Sequence, residues 1–167
     1  MKLSTAKRMV TMFCVNHILA GTVFFEQKRS LLNGIGFDIG EGTKIVGPLY
    51  CSAKLTIGEN CWVGKDFCVH GNGTVIIGNN CDIAPEVAFL TGGHIIGPKE
   101  RRAGNGELYT IRVGDGCWIG ARATVGRNVH IGEGSVIAAC SCVMKDVRKN
   151  HLVGGVPAKV IRNLDDV

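Results

Sequence analysis

The stretch "IAPEVAFLTGGH", residues 83 to 94, keeps a regular apolar beat and stops at a histidine. Imidazole suits proton transfer near neutral pH, because its ordinary pKa lies there and its second nitrogen can be held by a carbonyl or carboxylate. His94 is therefore the first candidate for general-base chemistry. Residues 95–112 lose the beat and carry Lys99, Glu100, Arg101, Arg102, Asn105, Glu107 and Tyr109. A long polar excursion beside a reactive group is the usual form of a functional loop. His17, His130 and His151 stand in no comparable break. The eight cysteines include no CxxC pair, which argues against a thiolate metal site.

The element that must hold His94 is a repeat. From residue 39 an aliphatic residue, often followed by Gly, recurs every six positions: Ile39-Gly40, Ile45, Cys51, Ile57-Gly58, Val63-Gly64, Val69. After a two-residue slip at "GNGTVI" come Ile77-Gly78, Ile83-Ala84 and Phe89, and after the excursion Val113-Gly114, Ile119-Gly120, Val125-Gly126, Ile131-Gly132, Ile137-Ala138 and Val143. A period of six fits neither a helix nor a free amphipathic strand. It is the signature of a parallel β-helix with three short faces to a coil. The coils run 39–56, 57–76, 77–112, 113–130 and 131–148. This register predicts one inward column of Ile57, Ile77, Val113 and Ile131 and another of Val63, Ile83, Ile119 and Ile137. Cys61, Cys81 and Cys117 fall into a third, ending at Ser135, and read as small fillers of a tight corner.

Composition agrees with a narrow core. Gly occurs 24 times in 167 residues, while aromatics are 6%. The net charge of +5 comes without a basic run interleaved with aromatics, so nucleic acid is not an expected partner. No secretory leader pattern stands before the cysteines, so free thiols in a reducing cytoplasm are expected. Residues 1–34 form an N-terminal helical segment, 35–148 the β-helix and 149–167 a C-terminal cap. The run "MVTMFCVNHILAGTVFF", residues 9 to 25, contains Asn16, His17 and Gly21 and is short for a membrane span. Ser4 is placed to cap a helix here, with apolar residues 9, 12, 13, 19, 20 and 23 as its stripe. The helix docks on its own protein or, with Lys2, Lys7, Arg8, Lys28 and Arg29, lies on a membrane surface.

Four stretches, "IGNNCDIAPEVAFLTGGH", "NGELYTIRVGDGCWIGARATV", "IGEGSVIAACSCVMKDV" and "NHLVGGVPAKVIRNL", resemble the hexapeptide-repeat acyltransferases. The likeness covers residues 35 to 162 and is nearest to the maltose and galactoside O-acetyltransferases and to the acetyltransferases of surface polysaccharides. It implies an all-β solenoid, a left-handed parallel β-helix of about five coils with a short N-terminal helical segment and a C-terminal tail. It also implies a homotrimer with each active site in a groove between subunits. The reaction it implies moves acetyl from acetyl-CoA to a hydroxyl of a sugar or polysaccharide precursor, with His94 as base and no metal.

On the coenzyme side the likeness points to Trp118, Ala121, Ala139, Lys145, Lys159 and Arg162. Ala121 replaces the Ser of some relatives, which leaves a backbone N–H to meet the oxyanion, and Cys140 stands where a Gly is usual. On the acceptor side it points to His70 or Asn72 in "DFCVHGN" and to Arg101, Arg102 and Tyr109 in the excursion. Three other readings stay open: a serine or antibiotic acceptor, a zinc enzyme like the gamma carbonic anhydrases, and a non-catalytic scaffold. The zinc reading lacks a second histidine where Lys99 stands.

Overall fold

A computed structural model describes residues 5–166 of the chain. Ser4 lies outside them. Three parallel sheets wrap one core. The first holds Asp38–Ile39, Lys54–Ile57, Thr74–Ile77, Thr110–Val113 and His130–Ile131. The second holds Lys44–Ile45, Trp62–Val63, Asp82–Ile83, Trp118–Ile119, Val136–Ile137 and His151–Gly155. The third holds Leu49–Cys51, Phe67–His70, Ala88–Leu90, Thr124–Gly126 and Cys142–Val143. The chain thus completes five coils and begins a sixth, in which Val147 bridges Ile131 and Val153 pairs with Ile137.

The hexapeptide register holds residue by residue. Ile39, Ile57, Ile77, Val113 and Ile131 pair in succession, as do Ile45, Val63, Ile83, Ile119 and Ile137. All are buried, and each contributes about 1.5–3 kcal/mol relative to exposure. The cysteine column does more than fill space. Thr43 Oγ1 donates to the Gly58 carbonyl at 2.7 Å, and Cys61 Sγ donates to Gly78 O at 3.1 Å. Cys81 Sγ donates to Gly114 O (3.1 Å), Cys117 Sγ to Gly132 O (3.2 Å) and Ser135 Oγ to Arg148 O (2.7 Å). Each corner therefore needs a small side chain that can donate to the next coil. The cysteines are all free.

An open first coil would leave bare strand edges. Asn33 closes the first sheet by accepting from Ile39 N at 2.9 Å and donating to Ile39 O at 3.0 Å. Asn16 does the same for Leu49 of the third sheet, at 2.9 and 3.0 Å. Beside the second sheet, Val46 O accepts from Gly21 N at 2.9 Å and from Lys28 Nζ at 3.1 Å. Lys28 is fully buried, and that burial pushes its amine below the ordinary lysine range. At the other end His151–Gly155 folds back as Ala158–Asn163, an antiparallel cover.

The N-terminal segment comprises α1 (Thr5–Phe13), a π-helical turn (Cys14–Ile18) and α2 (Phe25–Asn33). It docks through Thr11, Val15 and Asn16, with Met12 half-buried. Of the apolar stripe, Met12 packs against the core while Met9, Phe13 and Val23 stay in solvent, because the coil's edge needs the amide of Asn16 more than another aliphatic. No helix among the described residues is long and apolar enough to cross a membrane.

Candidate active site

The excursion expected at 95–112 is a β-hairpin that starts earlier and ends sooner. Gly92–Ile96 pairs antiparallel with Ala103–Leu108, and Thr110–Val113 is already back in the first sheet with Ile111 fully buried. The hairpin leaves the third coil where the second coil slips. Thr91, itself buried, donates through Oγ1 to His70 O at 3.0 Å and accepts from Gly73 N at 3.2 Å. Gly71, at φ +96°, lies so close that a Cβ there would sit 2.5 Å from Gly92 N. Slip and excursion are therefore one device, stacked in adjacent coils.

His94 stands on the first strand of the hairpin, opposite Gly106. Its Nδ1 lies 2.8 Å from the Gly104 carbonyl oxygen. A carbonyl only accepts, so Nδ1 carries a hydrogen, and in the neutral form of the ring Nε2 is the acceptor. The strand register shifts between His94 and Ile96, and that irregularity accompanies the ring's bond back to the second strand. A cavity of about 600 Å³ opens beside it, lined by His70, Gly71, Asn72, Leu90, Gly92, Gly93, His94, Gly106, Glu107 and Leu108.

Of the expected acceptor residues, the fold brings His70 and Asn72 to this cavity. Tyr109 does not line it: the ring is buried beneath the hairpin, where a Cβ on Gly93 would meet its hydroxyl at 2.6 Å. Its Oη donates to Glu107 Oε2 at 3.1 Å, and the Arg127 guanidinium sits 5.7 Å from its ring centroid. Arg101 and Arg102 lie around the hairpin's far turn, where Arg102 donates to Gly97 O at 3.3 Å, and neither lines the cavity. Glu107, in the sequence only one charge among several in the excursion, does line it. Its signal was the pairing across the hairpin, which one linear charge-rich segment does not display.

On the opposite edge of the third sheet, Ala121 and Ala139 share a corner, with Cys140 N donating to Ala121 O at 2.8 Å. The N–H groups of Ala121 and Ala139 have no partner among the described residues. Cys140 holds φ +59°, the left-handed conformation usual for glycine there.

Residues 110–145 match the family described as "Bacterial transferase hexapeptide (six repeats)", and residues 54–84 match "Hexapeptide repeat of succinyl-transferase". Galactoside O-acetyltransferase of Escherichia coli K12 is 35% identical over 145 residues, 84% of this chain and 70% of that protein. The chain belongs to the hexapeptide-repeat acetyltransferases. Among solved structures, a galactoside acetyltransferase in complex with coenzyme A superposes with a TM-score of 0.82 at 31% identity, covering 96% of this chain and 82% of that one. The Vibrio cholerae acetyltransferase VCA0836, complexed with acetyl coenzyme A, gives 0.83 at 25% identity, covering 96% and 87%.

Within this acetyltransferase the basic residues expected to meet the coenzyme divide. Lys145 and Lys159 flank one cavity of about 400 Å³ at the C-terminal end, with Arg148 and His151. Arg162 pairs beside Leu152 in the covering strand and does not line that cavity. Trp118 lies on the outer face of the second sheet, two strands from Trp62. Among the described residues no group of three His, Cys, Asp or Glu is arranged to hold a metal ion.

Proposed function

We propose that the chain transfers the acetyl group of acetyl-CoA to a hydroxyl of a sugar or surface-polysaccharide precursor, directly, with His94 as general base. The observation that carries this reading is the 2.8 Å contact between His94 Nδ1 and the Gly104 carbonyl. It leaves Nε2 as the acceptor atom on a ring whose orientation is set by backbone. Acetyl-CoA supplies the thioester. As the acceptor oxygen bonds to the acetyl carbon, its proton moves to Nε2, the C–S bond breaks, and the proton passes to the departing thiolate. The Gly104 carbonyl stabilises the imidazolium formed in between. The carboxylate of Glu107, which lines the same cavity, is available to a second hydroxyl of the acceptor. The unpartnered N–H groups of Ala121 and Ala139 suit the thioester oxygen and the pantetheine amides, and Lys145 and Lys159 suit the phosphates.

His94 and the Ala121–Ala139 corner lie on opposite edges of the third sheet, so a single chain does not bring them together. This separation supports a homotrimer whose sites form between neighbours. The third sheet's outer residues Cys68, Ala88 and Thr124 pair in one column, and their small side chains suit close packing between subunits. The exposed stripe of Met9, Val10 and Phe13 supports peripheral contact with the inner face of a membrane.

Thiol release from acetyl-CoA against a panel of sugars, nucleotide sugars, serine and antibiotics tests the reaction. Stimulation by one sugar class is expected, with His94→Ala lowering turnover by about 10²–10⁴-fold. Turnover surviving in His94→Ala would remove the base assignment. Mixing His94→Ala with Ala139→Trp subunits should restore activity if each site draws on two chains, and inactive mixtures would exclude shared sites.

A further inference from the structure

The outer face of the second sheet carries a cleft that sets Trp118, expected on the coenzyme side, beside Trp62 and Asp82, for which acetyl transfer as described has no role. Trp62 pairs beside Asp82, and Asp82 beside Trp118. Their chain neighbours Val63, Ile83 and Ile119 are fully buried, so these three side chains point away from the core. Strands stack about 4.8 Å apart, which sets the two indoles about 10 Å apart with the carboxylate between them. A cavity of about 350 Å³ lies there, lined by Trp62, Asp82, Ile83, Ala84, Pro85 and Trp118. Phe25 braces Trp62 edge-on at 5.8 Å between ring centroids. The Asp82 carboxylate has no hydrogen bond or ion pair among the described residues.

The electrostatics of this cleft have one sign. An indole face is the negative pole of its ring quadrupole, and a cation over it is attracted. The carboxylate adds a full negative charge. In a chain of net charge +5, no basic residue lines the cleft. A neutral ring would stack on the indoles but leave the carboxylate unneutralised, and a phosphate would be repelled.

We propose that Trp62, Asp82 and Trp118 form a binding site for an organic ammonium group, a protonated amine or a quaternary ammonium on a small molecule. The cleft stands on its own geometry. Its use to orient an amine-bearing acceptor sugar, beside the corner that holds Ala121, rests on the acetyl-transfer reading above.

The chain has two tryptophans, both in this cleft, so tryptophan fluorescence of the full chain reports on it alone. The titrants are tetramethylammonium chloride and protonated glucosamine, with sodium chloride and glucose as controls. A saturable change with the two cations and none with the controls is expected. Asp82→Asn, an exposed and nearly isosteric change, should weaken both cations by about fivefold or more, and Trp62→Leu should do likewise. Equal responses to glucose and glucosamine would show a site for neutral sugars and overturn the inference. So would an unchanged affinity in Asp82→Asn, or no saturable change with any titrant. Binding that persists while no acceptor turns over would count against the acetyl-transfer reading alone.

Discussion

Ile119 and His94 belong to regions built on opposite rules. Ile119 sits in a column with Ile83 on one side and Ile137 on the other, buried and repeated in kind from coil to coil. His94 has no counterpart in any coil, lies on an antiparallel hairpin and is held by one backbone carbonyl. Repetition distributes stability over many equivalent contacts, as in other solenoids. A reactive group needs a position that its neighbours do not copy. A side chain without copies is therefore found where the repeat breaks, and the coils above and below supply a rigid base for it.

Ile119→Ala breaks the column side of this contrast. It should cost about 2–5 kcal/mol, seen as a lower urea midpoint, while turnover per folded molecule stays near that of the unaltered chain. Gly93→Ala attacks the other side. Its new Cβ would meet the buried Tyr109 hydroxyl at 2.6 Å, so the strand bearing His94 must shift. Turnover should fall about tenfold or more, because small misplacements of reacting groups are costly, while the thermal midpoint moves little. A variant that lost stability and kept activity would place the hairpin with the coils instead.

The smallest effect concerns the thiol ladder. The link to Cys117, with burial, holds the Cys81 thiol up at about 11 against an ordinary value of 9.0. A raised acid keeps its proton longer in the folded chain, so the stability it contributes is complete below about pH 9 and is lost as pH rises towards 11. Lys28, pushed down by burial, works in the opposite sense below its ordinary value. The informative comparison is therefore between the unaltered chain and Cys81→Ser, whose urea midpoint should fall less steeply over that range.

His94 was legible because it ends a strong pattern, and the columns were legible because a six-residue period admits one register. Tyr109 was misplaced for a definite reason. A Tyr in a polar segment reads as a surface residue until the hairpin's register sets Gly93 against its ring. Arg101 and Arg102, to which the likeness pointed, lie at the hairpin's turn, outside the cavity that His94 lines in the same chain. The N-terminal apolar stripe left docking and membrane contact both open, because periodicity reports which residues share a face, not which face docks. The edge of the first coil chose Asn16, whose amide can satisfy a strand's N–H and C=O together.

By itself, then, the sequence determined the solenoid, the inward columns and the histidine at the break. These follow from local spacing, which each coil repeats. Only the tertiary structure decided that Glu107 joins His70, Asn72 and His94, that Lys145 meets Lys159, and that Trp62 and Trp118 enclose Asp82. Those groupings depend on how separate coils and a hairpin stack, and contacts across the stack leave no period in the chain.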